Sequence, residues 1–119
     1  MQDFTKLKVW QKAHSFTVNL YRISQDFPND EKFGLTNQIR RASVSIESNI
    51  SEGCGRNGDK EFSRFLDIAQ GSAYEVKCQI LIARDLGYLD SSKSQLLTEK
   101  IDEVSRMINA LNQKLRAKS

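Results

Sequence analysis

Apolar residues return every three or four positions along nearly the whole chain, and nowhere convincingly every second one. That is the period of helices with one buried face, so the pattern predicts an all-α protein with no sheet. The first predicted helix runs from about Lys6 to Gln25, with Val9, Ala13, Phe16, Leu20 and Ile23 inward and Trp10 and Tyr21 on the flanks. Pro28 ends it, because neither proline nor its predecessor favours helical continuation. The second helix is expected from about Asp30 to Glu52, with Leu35, Ile39, Ala42, Ile46 and Ile50 inward. Gly53, Gly55 and Gly58 supply its stop. Asp59 is the expected N-cap of the third helix, which carries Phe62, Phe65, Leu66, Ala69, Ala73, Val76, Ile80 and Ala83 to about Leu86. Gly87 stops that helix, and the turn from Leu86 to Leu89 is expected to plug one end of the core. Ser91 or Ser92 is expected to cap the fourth helix, where Leu97, Ile101, Val104, Ile108, Leu111 and Leu115 alternate by four and three. Helices of about 20 to 28 residues joined by loops of about five describe an up-down-up-down four-helix bundle, one domain spanning 1–119.

Composition supports a packed core: 39% of the 119 residues are hydrophobic, 28% are charged, and there is a single proline. The formal net charge is +3, well short of a dedicated nucleic-acid arm. Along the chain the charge is spread evenly, at about +2 for 1–26, 0 for 27–58, −1 for 59–88 and +2 for 89–119. No stretch approaches the roughly 18 to 20 apolar residues of a membrane span, and the start lacks a signal-peptide pattern. Cys54 and Cys78 fit no zinc spacing and read as reduced thiols of a cytoplasmic protein. No cofactor is expected.

His14 is the lone histidine and has no matched nucleophile, so it reads as a boundary residue of the first helix. The acids form no paired Glu-x-x-His sites of the kind a di-iron bundle needs. The GCGRNG loop, 53–58, looks superficially like a phosphate cradle. It lacks the lysine and Ser/Thr of a P-loop and follows a helix, so a helix-helix turn is expected.

Residues 37–56, NQIRRASVSIESNISEGCGR, support two readings. Small side chains at Ala42, Ser43, Ser45, Ser48 and Ser51 let partner backbones approach. Asn49 lies near the core stripe, where an unsatisfied amide would cost about 1–3 kcal/mol. Glu52 is placed to accept from the following turn and to pair with Arg56, tying down the helix end. In the functional reading, Arg40, Arg41 and Arg56 present guanidinium groups to RNA phosphates or to a neighbouring subunit. Gly71, in mid-helix at a cost of about 1 kcal/mol relative to alanine, joins Ser72 and Ala73 in a small-residue notch. The notch suits close contact with the second helix or across an interface. The last helix adds Lys114, Arg116 and Lys118, with no acid after Glu103. They read either as a solvated face or as a grip for a phosphate backbone.

A family resemblance rests on Leu7, Val9, Trp10 and Ala13; on FPNDEKFGLTNQIRRASVSIESNISEGCGR, 27–56; on FSRFLDIAQGSAYE, 62–75; and on Leu86 to Leu89. Through these residues the chain resembles the four-helix-bundle proteins encoded by intervening sequences within bacterial 23S ribosomal RNA genes. That family is related to the accessory variability determinant proteins of diversity-generating retroelements. Ser51 stands where the family pattern suggests alanine. The resemblance implies a homopentameric ring without enzymatic activity, and its retroelement relatives bind nucleic acid and partner a reverse transcriptase. Five copies at +3 each would carry about +15, favouring polyanions by avidity. Two functions follow: an RNA-associated assembly, or a structural or protein-interaction module whose arginines serve folding and the oligomer.

Overall fold

Four helices carry the chain: α1, Lys8–Ser24; α2, Leu35–Cys54; α3, Asp59–Asp85; and α4, Ser91–Lys118. They are seen in a computed structural model that describes residues 3–118. Short 3-10 turns at Phe4–Lys6 and Asn29–Glu31 precede α1 and α2, and no strand occurs among the described residues. Helix α1 packs on α2 and α4, α2 on α3, and α3 on α4, which closes a square with α1 diagonal to α3. The body is 45 Å long, close to the roughly 42 Å that 28 residues span at about 1.5 Å each.

The apolar stripes meet as the periodicity requires. Leu20, Ile39, Ile50, Leu66, Ile80, Leu97 and Ile108 are wholly shielded, and each contributes about 1.5–3 kcal/mol by leaving water. Ile23 and Leu111 are only partly buried against this core. Asn112 turns inward next to Leu111 instead. At the far end Leu89 is buried and Tyr88 packs on Phe27 with ring centroids 5.7 Å apart, so these two plug the core. Leu86 does not join them; it is 55% exposed.

Helix ends depart most from expectation. Helix α2 starts at Leu35 rather than near Asp30, because residues 29–34 turn more tightly first. The Glu31 carboxylate then serves as a remote cap. One oxygen accepts the Leu35 N–H at 3.1 Å, and the other accepts the Tyr88 hydroxyl at 2.8 Å. These two bonds, the backbone one foremost, hold the Glu31 carboxyl below its ordinary range, and the same contact raises the Tyr88 phenol. Asp59 is the first residue of α3 rather than its N-cap. That place falls to Gly58 at φ 90°, a conformation that glycine adopts without strain. Asp59 and Glu61 still favour the positive end of the helix dipole. Neither Ser91 nor Ser92 caps α4: Asp90 does, its Oδ1 accepting the Lys93 N–H at 2.7 Å.

Candidate nucleic-acid interface

Arg40 and Arg41 lie about 100° apart around α2 and face different surroundings. Arg40 reaches back to the end of α1. Its Nε donates to Ser24 Oγ at 2.8 Å, its Nη2 to the Tyr21 carbonyl at 3.0 Å, and its guanidinium lies 4.6 Å from the Tyr21 ring centre. It satisfies the open carbonyl end of α1 and is occupied. Arg41 is exposed and has no ion pair or side-chain hydrogen bond among the described residues.

Arg56 donates to Glu52 Oε1 at 2.6 Å and lies 5.1 Å from the Phe65 ring centre. The expected tie at the end of α2 is therefore present as an exposed ion pair one helical turn apart. Gly53 is helical rather than part of the loop, and its role is close approach. A Cβ built there would stand 2.7 Å from Phe65 Cβ and 2.9 Å from the Phe62 ring. Asn49 is half-buried and donates to the Ser45 carbonyl and hydroxyl at 2.8 and 3.1 Å. Ser45 continues to Ser72 at 2.9 Å, so the bridge from α2 to α3 runs through two serines. Gly71, next to Ser72, faces open space and does not meet α2.

On α4, Arg116 grips both oxygens of Asp67 at 2.9 Å. Asp67 also accepts from buried Asn112 at 2.8 Å, and Asn112 Oδ1 accepts the Ser63 hydroxyl. Ser63, Asp67 and Asn112 form a polar layer between α3 and α4 that the apolar pattern did not single out. Serine at 63 opposite asparagine at 112 is a signal only once the two helices are known to be neighbours. Lys114 and Lys118 have no ion-pair partner among the described residues.

The fold gathers the start of the chain, the α2–α3 turn and the end of α4 at one end of the bundle. Cations there are Lys6, Lys8, Arg56, Lys60, Arg64, Lys114, Arg116 and Lys118; acids are Asp3, Glu52, Asp59, Glu61 and Asp67. Eight cations against five acids give +3, the whole formal charge of the chain, so the remaining ten of each sign balance. Three of the arginines are held by acids, Arg56 by Glu52, Arg64 by Glu61 and Arg116 by Asp67. The Arg64 bond holds the Glu61 carboxyl below its ordinary range. Lys6, Lys8, Lys60, Lys114 and Lys118 have no such partner among the described residues. Four of the six cations singled out in the sequence thus meet at this end, whereas Arg40 and Arg41 lie elsewhere.

Of the remaining titratable and nucleophilic side chains among the described residues, His14, Cys54 and Cys78 lie apart from one another. His14 donates through Nδ1 to Glu47 Oε2 at 2.6 Å and stacks on Trp10 with ring centroids 4.8 Å apart. Cys54 is buried, and burial foremost pushes its thiol up, away from the thiolate that nucleophilic chemistry needs. Cys78 is a free, exposed thiol on α3. Among the described residues no three His, Cys, Asp or Glu side chains are grouped to hold a metal ion, and no helix is long and apolar enough to cross a membrane.

The fold is shared with a crystallised protein of unknown function from the S23 ribosomal protein family of Bacteroides thetaiotaomicron. The TM-score is 0.82 at 22% identity, over 88% of this chain and 95% of that one. No curated protein matches the chain. The family model described as 23S rRNA-intervening sequence protein matches residues 5–110, which takes in α1, α2 and α3 whole and α4 as far as Ala110. By that match the chain belongs to the 23S rRNA-intervening sequence protein family.

Proposed function

We propose that this protein works without catalysis, as a cytoplasmic RNA-associating bundle whose basic end meets phosphates. The observation that carries the reading is the collection of the whole net charge at one end, with five lysines there that form no ion pair among the described residues. Lysines in this state need break no salt bridge to meet a phosphate, and releasing the phosphate counterions drives binding. The arginines are the weaker contributors, since Arg56 and Arg116 would first have to leave Glu52 and Asp67. Assembly into a homo-oligomer, a pentamer by the family resemblance, would present several such ends to one RNA and raise affinity by avidity.

Fluorescence anisotropy with a structured RNA tests this. Lys114→Glu with Lys118→Glu should weaken binding about tenfold or more. Lys93→Glu with Lys100→Glu, at the same net charge but away from that end, should weaken it much less. Equal losses in both pairs would leave only non-specific charge attraction and defeat the reading.

A second reading, a structural or protein-interaction module, is favoured by one specific feature. Arg40 and Arg56, two of the sequence's leading candidates for RNA contact, are occupied within the fold. On that reading the RNA titration is flat while the interaction surface described next remains.

A further inference from the structure

Helix α3 has a second apolar stripe in addition to the one that enters the core. Ile68, Gly71, Glu75, Cys78 and Ile82 step by three and four along its outer side, and Leu86 continues the line past the helix end. Ile68, Ile82 and Leu86 are 42%, 44% and 55% exposed. Gly71 leaves bare backbone between them, with nothing within 4 Å of a would-be Cβ. Such spacing is that of a helix packing seam, and small residues within it permit close approach. On a different face, between α1 and α2, lies an open groove of about 510 Å³ lined by Val18, Tyr21 and Val44. Glu47 also lines it, and its Oε1 is buried without a hydrogen-bond partner.

We infer that these two surfaces are partners, and that the α3 stripe of one copy docks in the α1–α2 groove of the next. Charge selects this pairing. Arg22 on the groove and Glu75 within the stripe each have no ion pair among the described residues. Docking stripe on groove brings the opposite charges together. Docking stripe on stripe about a two-fold axis would set two Glu75 carboxylates near a shared centre, which is unfavourable.

Height also selects it. Thr17 bonds Ser43 at 2.7 Å and Ser45 bonds Ser72 at 2.9 Å, so the groove and the middle of the stripe lie at one level along the bundle. Neighbours therefore meet without sliding along the long axis. Two different surfaces in contact make a head-to-tail interface, which continues from copy to copy until it closes. With the bundles parallel, every basic end points to the same side. The contact stands whether or not that end binds RNA.

The test uses the full chain and its native exposed Cys78. Sedimentation of the wild type should give a mass of several chains. Ile82→Glu should shift it toward one chain, with helical circular dichroism retained. A short bismaleimide should link Val18→Cys chains into a ladder beyond the dimer, with peptides joining position 18 to Cys78, and should leave the wild type largely unlinked. A wild-type mass of one chain would overturn the inference. So would wild-type dimers joined Cys78 to Cys78, an Ile82→Glu protein that keeps its mass, or Val18→Cys chains with no 18-to-78 link.

Discussion

Arg40 and Arg41 are neighbours in the chain with unlike work in the fold. Arg40 closes the end of α1 through two hydrogen bonds and the Tyr21 ring, so Arg40→Ala should cost about 1–3 kcal/mol. Urea melts read at unchanged slope would measure that, with Arg41→Ala within about 0.5 kcal/mol of wild type as the contrast. The two helical glycines separate in the same way. Gly53→Ala drives a Cβ into Phe65 and Phe62 and should destabilise by about 1–3 kcal/mol. Gly71→Ala enters open space and should stabilise each bundle by up to about 1 kcal/mol. Thermal melts of the pair in an Ile82→Glu background, which keeps the Gly71 face clear of the inferred interface, would show opposite signs. The sequence marked all four positions as special, yet propensity alone cannot tell which glycine touches another helix of its own bundle and which lies on the bundle's outer side.

At the scale of elements, the helices themselves were legible. The three-four stripes of α2 and α3 name their buried apolar residues correctly, and that of α1 does so up to Leu20 and fails at Ile23, because one apolar face per helix is what a bundle requires and the helix end lies at the rim of the core. The ends and the polar contacts were not legible, because they depend on which element lies opposite. Glu31 caps α2 only through a turn that the pattern absorbed into the helix, and Asn112 points inward only because Ser63 and Asp67 of α3 face it. Asn112→Ala should therefore cost about 1–3 kcal/mol, since it leaves buried partners unsatisfied. A double-mutant cycle with Ser63→Ala should show coupling between the two. The Glu31 tie sets a pH dependence. Its carboxyl is lowered in the folded state by the Leu35 N–H and then the Tyr88 hydroxyl. The stability it gives is thus present above its ordinary value of 4.5 and is lost as the pH falls from there through the folded value. Melting temperatures followed through that acid range should fall more steeply for the wild type than for Glu31→Gln.

At the scale of the whole molecule, charge is the property that folding rearranges most. Summed along the sequence it is spread over both termini and nearly cancels in the middle. Folding brings Lys8, Lys60, Lys114 and Lys118 to one end from three separate stretches, and the net +3 goes with them. No linear window contains that cluster, whereas Arg40 and Arg41 stand side by side in the chain. Family membership was legible from the motif-rich stretch 27–56, and it fixes the fold without assigning the role of the basic end. The most direct test of that role is a titration of structured RNA with nuclease-treated wild-type protein across a salt series. The account predicts binding whose logarithm falls linearly with the logarithm of salt, with a slope of about −2 to −4 for each basic end engaged, from three to five phosphate contacts apiece, and steeper in proportion where several ends meet one RNA. A salt-independent affinity, or no binding at low salt, would contradict it.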